Sequence, residues 1–124
     1  MLVVDDDEPA LRSCARALAE IPGAEIVQQK LGDQAARLLS SEAFDLLISD
    51  VRMPGMSGID LLEIAHRRYP NLPVILMTGF PTTDILKGCR PVGAAACLMK
   101  PVRPEELLAV VHQVLDRKAT PARH

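Results

Sequence analysis

A chain of 124 residues with 48% hydrophobic content has the apolar material for one compact domain. Its formal charge of -2, with 14 basic residues scattered rather than gathered in a stripe and only 2% aromatic content, speaks against direct nucleic-acid binding. No apolar stretch approaches the roughly 20 residues that span a bilayer, no secretory leader precedes the first apolar run, and Cys14, Cys89 and Cys97 include no CxxC pair, so a cytoplasmic protein with reduced thiols and no membrane partner is expected.

The run Leu2-Val3-Val4 predicts a strand over residues 2–5 and stops at Asp5-Asp6-Asp7. An amphipathic stretch of helical period follows over 9–20, then a strand over 24–28 and a helix over 33–41 that Asp33 is placed to cap. The run Leu46-Leu47-Ile48-Ser49 predicts a strand over 44–49 that delivers a lone carboxylate, Asp50, to the turn Val51-Arg52-Met53-Pro54-Gly55. A helix over 58–68 leads to a strand over 73–77, which runs out at Thr78-Gly79. A fourth helix is expected over 82–90, short or irregular because Gly88 and Pro91 fall at its end and Pro inside a helix costs ~3 kcal/mol. The last strand, 95–99, stops at Lys100-Pro101. A final helix over 104–117 opens on Pro104-Glu105-Glu106 and carries the apolar stripe Leu107, Leu108, Val111 and Leu115. The tail 119–124 has no apolar period and reads as frayed or as the start of a linker, which places the domain at 1–118.

Five consecutive strand–helix units with crossovers of this length require a parallel sheet with helices on both faces, an α/β doubly wound architecture. Ligands of such sheets sit outside the carboxyl ends of the strands. The acids at 5–7, Asp50 and Lys100 therefore converge, with the Thr78 hydroxyl beside them. Adjacent carboxylates repel unless a cation sits among them. A hard divalent ion such as Mg²⁺ takes oxygen ligands at roughly 2.0–2.1 Å and keeps several waters. Two aspartates of the first strand, Asp50, a backbone carbonyl just past Asp50 and waters fill such a shell and leave one Asp50 oxygen to attack phosphorus. Taken singly, each residue has an ordinary reading: Asp50 as a turn or helix cap, the acidic run as a solvated first turn, Thr78 as loop chemistry and Lys100 as a surface charge. Their joint placement on strand ends favours a phosphoryl acceptor.

The segments Val3-Val4-Asp5-Asp6-Asp7-Glu8-Pro9, Asp50-Val51-Arg52-Met53-Pro54-Gly55-Met56-Ser57-Gly58, Met77-Thr78-Gly79 and Lys100-Pro101 stand in an order and spacing that resembles the receiver domain of a two-component response regulator, of the CheY-like superfamily. The resemblance covers nearly the whole chain and implies a five-stranded sheet of flavodoxin-like order 2-1-3-4-5 with the site at the switch point. It implies that Asp50 accepts the phosphoryl group of a histidine kinase's phosphohistidine, that Thr78 is the switch hydroxyl, and that Lys100 is the ammonium that meets the phosphate. Arg52 would lend a backbone carbonyl to Mg²⁺ or Mn²⁺, alongside Asp50 and an acidic pair. That pair has two registers. Taking Val3-Val4 as the strand end selects Asp5 and Asp6, whereas anchoring on Glu8-Pro9-Ala10-Leu11 selects Asp6 and Asp7. The strand end is preferred, with Asp7 the alternate to Asp5. Gly58 falls at the family's usual glycine, and Lys100-Pro101 at its usual cis peptide bond. The implied partners are a sensor histidine kinase or phosphotransfer protein and a downstream output domain or protein, with a phosphorylation-dependent homodimer as a further option.

Receivers commonly carry an aromatic ring three positions before the lysine. Here that position is Cys97, so the switch pair reads as Thr78 with a small side chain. Arg52 and Phe80, two residues past the acceptor and the switch threonine, border the family's path for attacking water and are expected to slow hydrolysis. Two other functions compete: a phosphorylation-independent interaction domain, and an aspartyl-phosphate hydrolase of the haloacid dehalogenase type. The latter wants a second acid at position 52, which is Arg. With no GK[ST] loop or GxSxG elbow, and with His66, His112 and His124 isolated, a signalling phosphoacceptor is expected rather than an enzyme.

Overall fold

The computed structural model describes residues 1–79 and 93–119, with side chains at the C-terminal end described as far as Asp116. The helix expected over 82–90, and with it Phe80, Gly88, Cys89 and Pro91, lies outside the described residues. Five strands, β1 (Leu2–Val4), β2 (Val27–Gln29), β3 (Leu47–Asp50), β4 (Val74–Thr78) and β5 (Ala96–Met99), form one sheet in the order β2-β1-β3-β4-β5. Every pairing is parallel. Four helices are seen among the described residues: α1 (Glu8–Leu18), α2 (Gly32–Ser41), α3 (Gly58–Arg68) and α4 (Pro104–Ala119). This is the doubly wound order read from the sequence. The chain leaves β1 toward β2 on one side and returns to β3 on the other, which opens a crevice at the carboxyl ends of β1 and β3.

Strands with a two-residue side-chain period feed two apolar layers. Val3, Ile48, Ile75 and Met77 face one way and bury against Leu11, Cys14 and Leu18 of α1 and Leu107, Val111 and Val114 of α4. Leu2, Val4, Leu47, Val74 and Leu76 face the other way and bury against Ala35 and Leu39 of α2 and Leu61, Leu62 and Ala65 of α3. β1, β3 and β4 are therefore buried on both faces, which is why they read as continuous apolar runs.

Several expectations need correction, among them the third strand, which is Leu47–Asp50 rather than 44–49. The second strand is Val27–Gln29 rather than 24–28. Ile21, Ala24 and Ile26 are apolar because they pack on the α1/α4 layer from a loop, where the Ala24 amide donates to the Ile21 carbonyl at 3.1 Å across Gly23 at φ 77°. Asp33 does not cap α2. Its N-cap is Leu31, with no side-chain bond, and the Asp33 carboxylate accepts from the adjacent Gln34 amide at 2.9 Å inside the first turn. Helix α2 starts one residue earlier, at Gly32, which packs directly on Met56, where a Cβ would lie 3.0 Å from the Met56 Cβ. On α4 the fully buried stripe is Leu107, Val111 and Val114, with Leu108 and Leu115 half-buried at its margin.

Candidate functional site

Asp5 stands one residue beyond β1, yet its amide continues the ladder by donating to the Gln29 carbonyl at 3.1 Å. Its side chain is fully buried and accepts from the Asp7 amide at 2.9 Å, a local loop closure of the Asx type. Asp7 itself turns outward as the N-cap of α1, accepting from the Ala10 amide at 3.3 Å, with Glu8 and Pro9 in the first turn. The structure thus brings Asp5, Asp6 and Asp50 together, with ligand oxygens all within 4.8 Å of one another, and commits Asp7 to the helix end. The Asp7 amide as a partner of Asp5 was missed from sequence, although an Asp two residues ahead of an amide in a turn is the signal for it.

Asp50 ends β3 and is 7% exposed. The backbone beyond it is fixed from two sides. The Val51 amide donates to the Met77 carbonyl at 2.8 Å, and the Gly58 amide donates to the Val51 carbonyl at 2.9 Å. A Cβ at residue 58 would run into the Asp50 carbonyl oxygen and sit 2.9 Å from its carbon, so only glycine lets α3 start this close to the acid. A reciprocal capping box between Ser57 and Asp60 holds that helix start in place. The exposed Arg52 offers its amide to Asp50 Oδ1 at a long 3.4 Å.

Lys100 closes the site from β5. Its amide donates to the Thr78 carbonyl at 2.8 Å, and the Lys100-Pro101 peptide bond is cis. Its Nζ donates to Asp5 Oδ2 at 2.7 Å and to Asp50 Oδ2 at 3.0 Å, one ammonium bridging two buried carboxylates. Burial pushes the Asp5 carboxyl above its ordinary range, against the opposing pull of Lys100 and the Asp7 amide. Burial pulls Lys100 toward its neutral form, but the bonds from Asp5 and Asp50 outweigh it and leave the ammonium's pKa raised. The buried acid is thus the strained partner, and the more exposed ammonium gains.

Thr78 is buried at the end of β4, next to Asp50 through the Asp50–Met77 pairing of β3 with β4. Cys97 is not part of this cluster. It lies three residues back on β5, paired with Leu76, half-buried against the α2/α3 layer. Oxygens held by one hard cation at roughly 2.0–2.1 Å lie at most about 4.2 Å apart, so three carboxylates of this spacing fit a divalent ion of the Mg²⁺ kind with little contraction. An acid cluster of this kind can hold a divalent cation beside a carboxylate that a lysine also contacts.

Residues 1–112 match the family model described as "Response regulator receiver domain". The chain belongs to the response regulator receiver family. Over 90% of its length this receiver is 41% identical to the response regulator protein FleR of Pseudomonas aeruginosa, and over 92% it is 37% identical to the DNA-binding transcriptional regulator NtrC of Salmonella typhimurium. The matched segment spans only 23% and 24% of those two proteins. Among solved structures, a CheY-like receiver domain protein from Methanospirillum hungatei superposes with a TM-score of 0.89 at 33% identity, covering 95% of this chain and 94% of that one. The family and its fold, read from four short motifs, are thereby shown. Among the described residues no helix is long and apolar enough to cross a membrane.

Proposed function

We propose that this receiver takes a phosphoryl group onto Asp50 from a sensor histidine kinase or a phosphotransfer protein in the cytoplasm, in a step that requires Mg²⁺ or Mn²⁺, and so switches a protein-interaction surface. The observation that carries the reading is the Lys100 ammonium held between Asp5 and Asp50, with Asp6 joined to the same cluster. Asp5, Asp6, Asp50 and the Arg52 backbone carbonyl would hold the metal, which when bound offsets charge on the transferring group. An Asp50 carboxylate oxygen forms the new O–P bond as the P–N bond of the donor breaks, its electron pair staying with the imidazole. Lys100 gives up Asp50 for a phosphoryl oxygen while keeping Asp5, and the Thr78 hydroxyl donates to another. A depression of about 450 Å³ beside Asp6, lined by Arg52, Met53, Pro54, Ser57 and Ile59, would receive part of the donor.

The phosphoryl group adds close to two negative charges at Asp50. Its interactions favour whichever arrangement of the Thr78 and Lys100 loops binds it better, and the population shifts accordingly. Thr78 and Cys97 form the switch pair, and the output is an attached domain, a separate protein or a second copy of the chain. Domain 1–118 is the unit that folds and signals.

Incubation with acetyl phosphate and Mg²⁺ followed by intact mass measurement tests this. The expected result is a single persistent adduct of one phosphoryl group that is absent from Asp50→Asn and absent under chelator. No adduct would leave a phosphorylation-independent interaction domain, and rapid release of inorganic phosphate without adduct a hydrolase.

A further inference from the structure

Ser49 is a polar residue set among apolar strand neighbours. Its register partners are Val4 on β1 and Leu76 on β4, both fully buried in the α2/α3 layer, and it is itself 0% exposed. A hydroxyl taken out of water without a partner is costly, so the position favours Ala or Val unless the oxygen has a task. The Ser49 hydroxyl donates to the Asp50 carbonyl oxygen at 2.9 Å. That same carbonyl is the atom on which α3 bears down, since a Cβ at Gly58 would strike it. The Asp50–Val51 peptide is therefore gripped between the Ser49 hydroxyl and the start of α3. The carboxylate of Asp50 and the loop that brings the Arg52 amide to Asp50 Oδ1 both hang from this peptide.

We infer that Ser49 is a positioning residue for the phosphoacceptor: its hydroxyl orients the Asp50 peptide from the sheet face opposite the acid cluster, and so sets the aim of the carboxylate and of the Arg52 backbone. Ser49 touches neither a donor nor a metal and acts only through residue 50. The inference rests on the proposed phosphoacceptor role of Asp50 for its consequence, but not for its geometry.

Ser49→Ala removes the hydroxyl with little change of volume, and Ser49→Thr restores it. The Asp50 carbonyl carbon shift, read by NMR without phosphodonor, is expected to move in Ser49→Ala and to return in Ser49→Thr. With acetyl phosphate, the maximal phosphorylation rate of Ser49→Ala is expected to fall about fivefold, the scale of one net hydrogen bond, while the half-saturating acetyl phosphate concentration stays unchanged. The half-saturating Mg²⁺ concentration is expected to rise, and Ser49→Thr to return both values to within about twofold of wild type. An unmoved Asp50 carbonyl shift in Ser49→Ala would overturn the inference whatever the phosphorylation result. So would a Ser49→Ala rate equal to wild type, or a rate lost equally in Ser49→Ala and Ser49→Thr. If the wild type takes up no phosphoryl group while the carbonyl shift responds as expected, the phosphoacceptor reading has failed and the positioning contact stands.

Discussion

Strands β3 and β5 flank β4 and lead to the two halves of the charge pair, yet they are built differently. All four residues of β3 are buried, Asp50 included, while β5 is half-buried along its length and ends in Met99 at 59% exposure. The carboxylate is thus delivered by a strand clamped between two apolar layers, and the ammonium by the edge of the sheet. A buried strand suits a group that must be aimed, and an edge that loses little on shifting suits the group that must change partners. The strain lies on the acid side as well, because Asp5 is the partner whose charge the fold disfavours. Stability given up there is typical of binding sites that wait for a charged ligand.

The contrast is broken most strongly by emptying the central strands. Leu47→Ala, fully buried in β3, is expected to lower unfolding stability by about 2–5 kcal/mol in urea titration. Gly58→Ala is next. Its methyl pushes the Asp50 carbonyl away, and a displacement on this scale is expected to slow phosphorylation by acetyl phosphate about a hundredfold. Asp5→Asn should raise the urea midpoint of the metal-free protein while weakening Mg²⁺ binding. The folded state raises the Asp5 pKa, so it holds that proton more tightly than the unfolded chain. The associated stability is full at acid pH and is lost as pH rises through the raised value. The advantage of Asp5→Asn over wild type should accordingly grow from acid to neutral pH; a constant difference would contradict the assignment. The smallest effect is expected at the edge, where Met99→Ala should change stability by no more than about 0.5 kcal/mol.

The fold was legible because β1, β3 and β4 are buried on both faces and so appear as unbroken apolar runs, each halted by a charge or a hydroxyl. Where burial and strand identity part company, apolar pattern misleads: Ile21, Ala24 and Ile26 are apolar to cover a helix layer from a loop. The start of α2 carries no sequence signal because its N-cap, Leu31, makes no side-chain bond to the helix. Asp50, Thr78 and Lys100 could be picked out because each stands at the end of its run. The choice between Asp5 and Asp7 was decidable in principle, since an Asp immediately before Glu8-Pro9 has the makings of an N-cap and is then unavailable to the cluster. Ser49 was visible as the one polar residue in Leu46-Leu47-Ile48-Ser49, but its partner is a backbone atom that no side-chain pattern reveals.

On the proposed function, charges from separate strand ends gather on one carboxylate, which then carries phosphorus. Borohydride reduction of the phosphorylated protein converts an acyl-phosphate aspartate to homoserine, and peptide sequencing by mass spectrometry locates it. Homoserine is expected at position 50 alone, dependent on Mg²⁺. Homoserine at residue 5, 6 or 7, or at no aspartate in a protein that has gained a phosphoryl group, would contradict it.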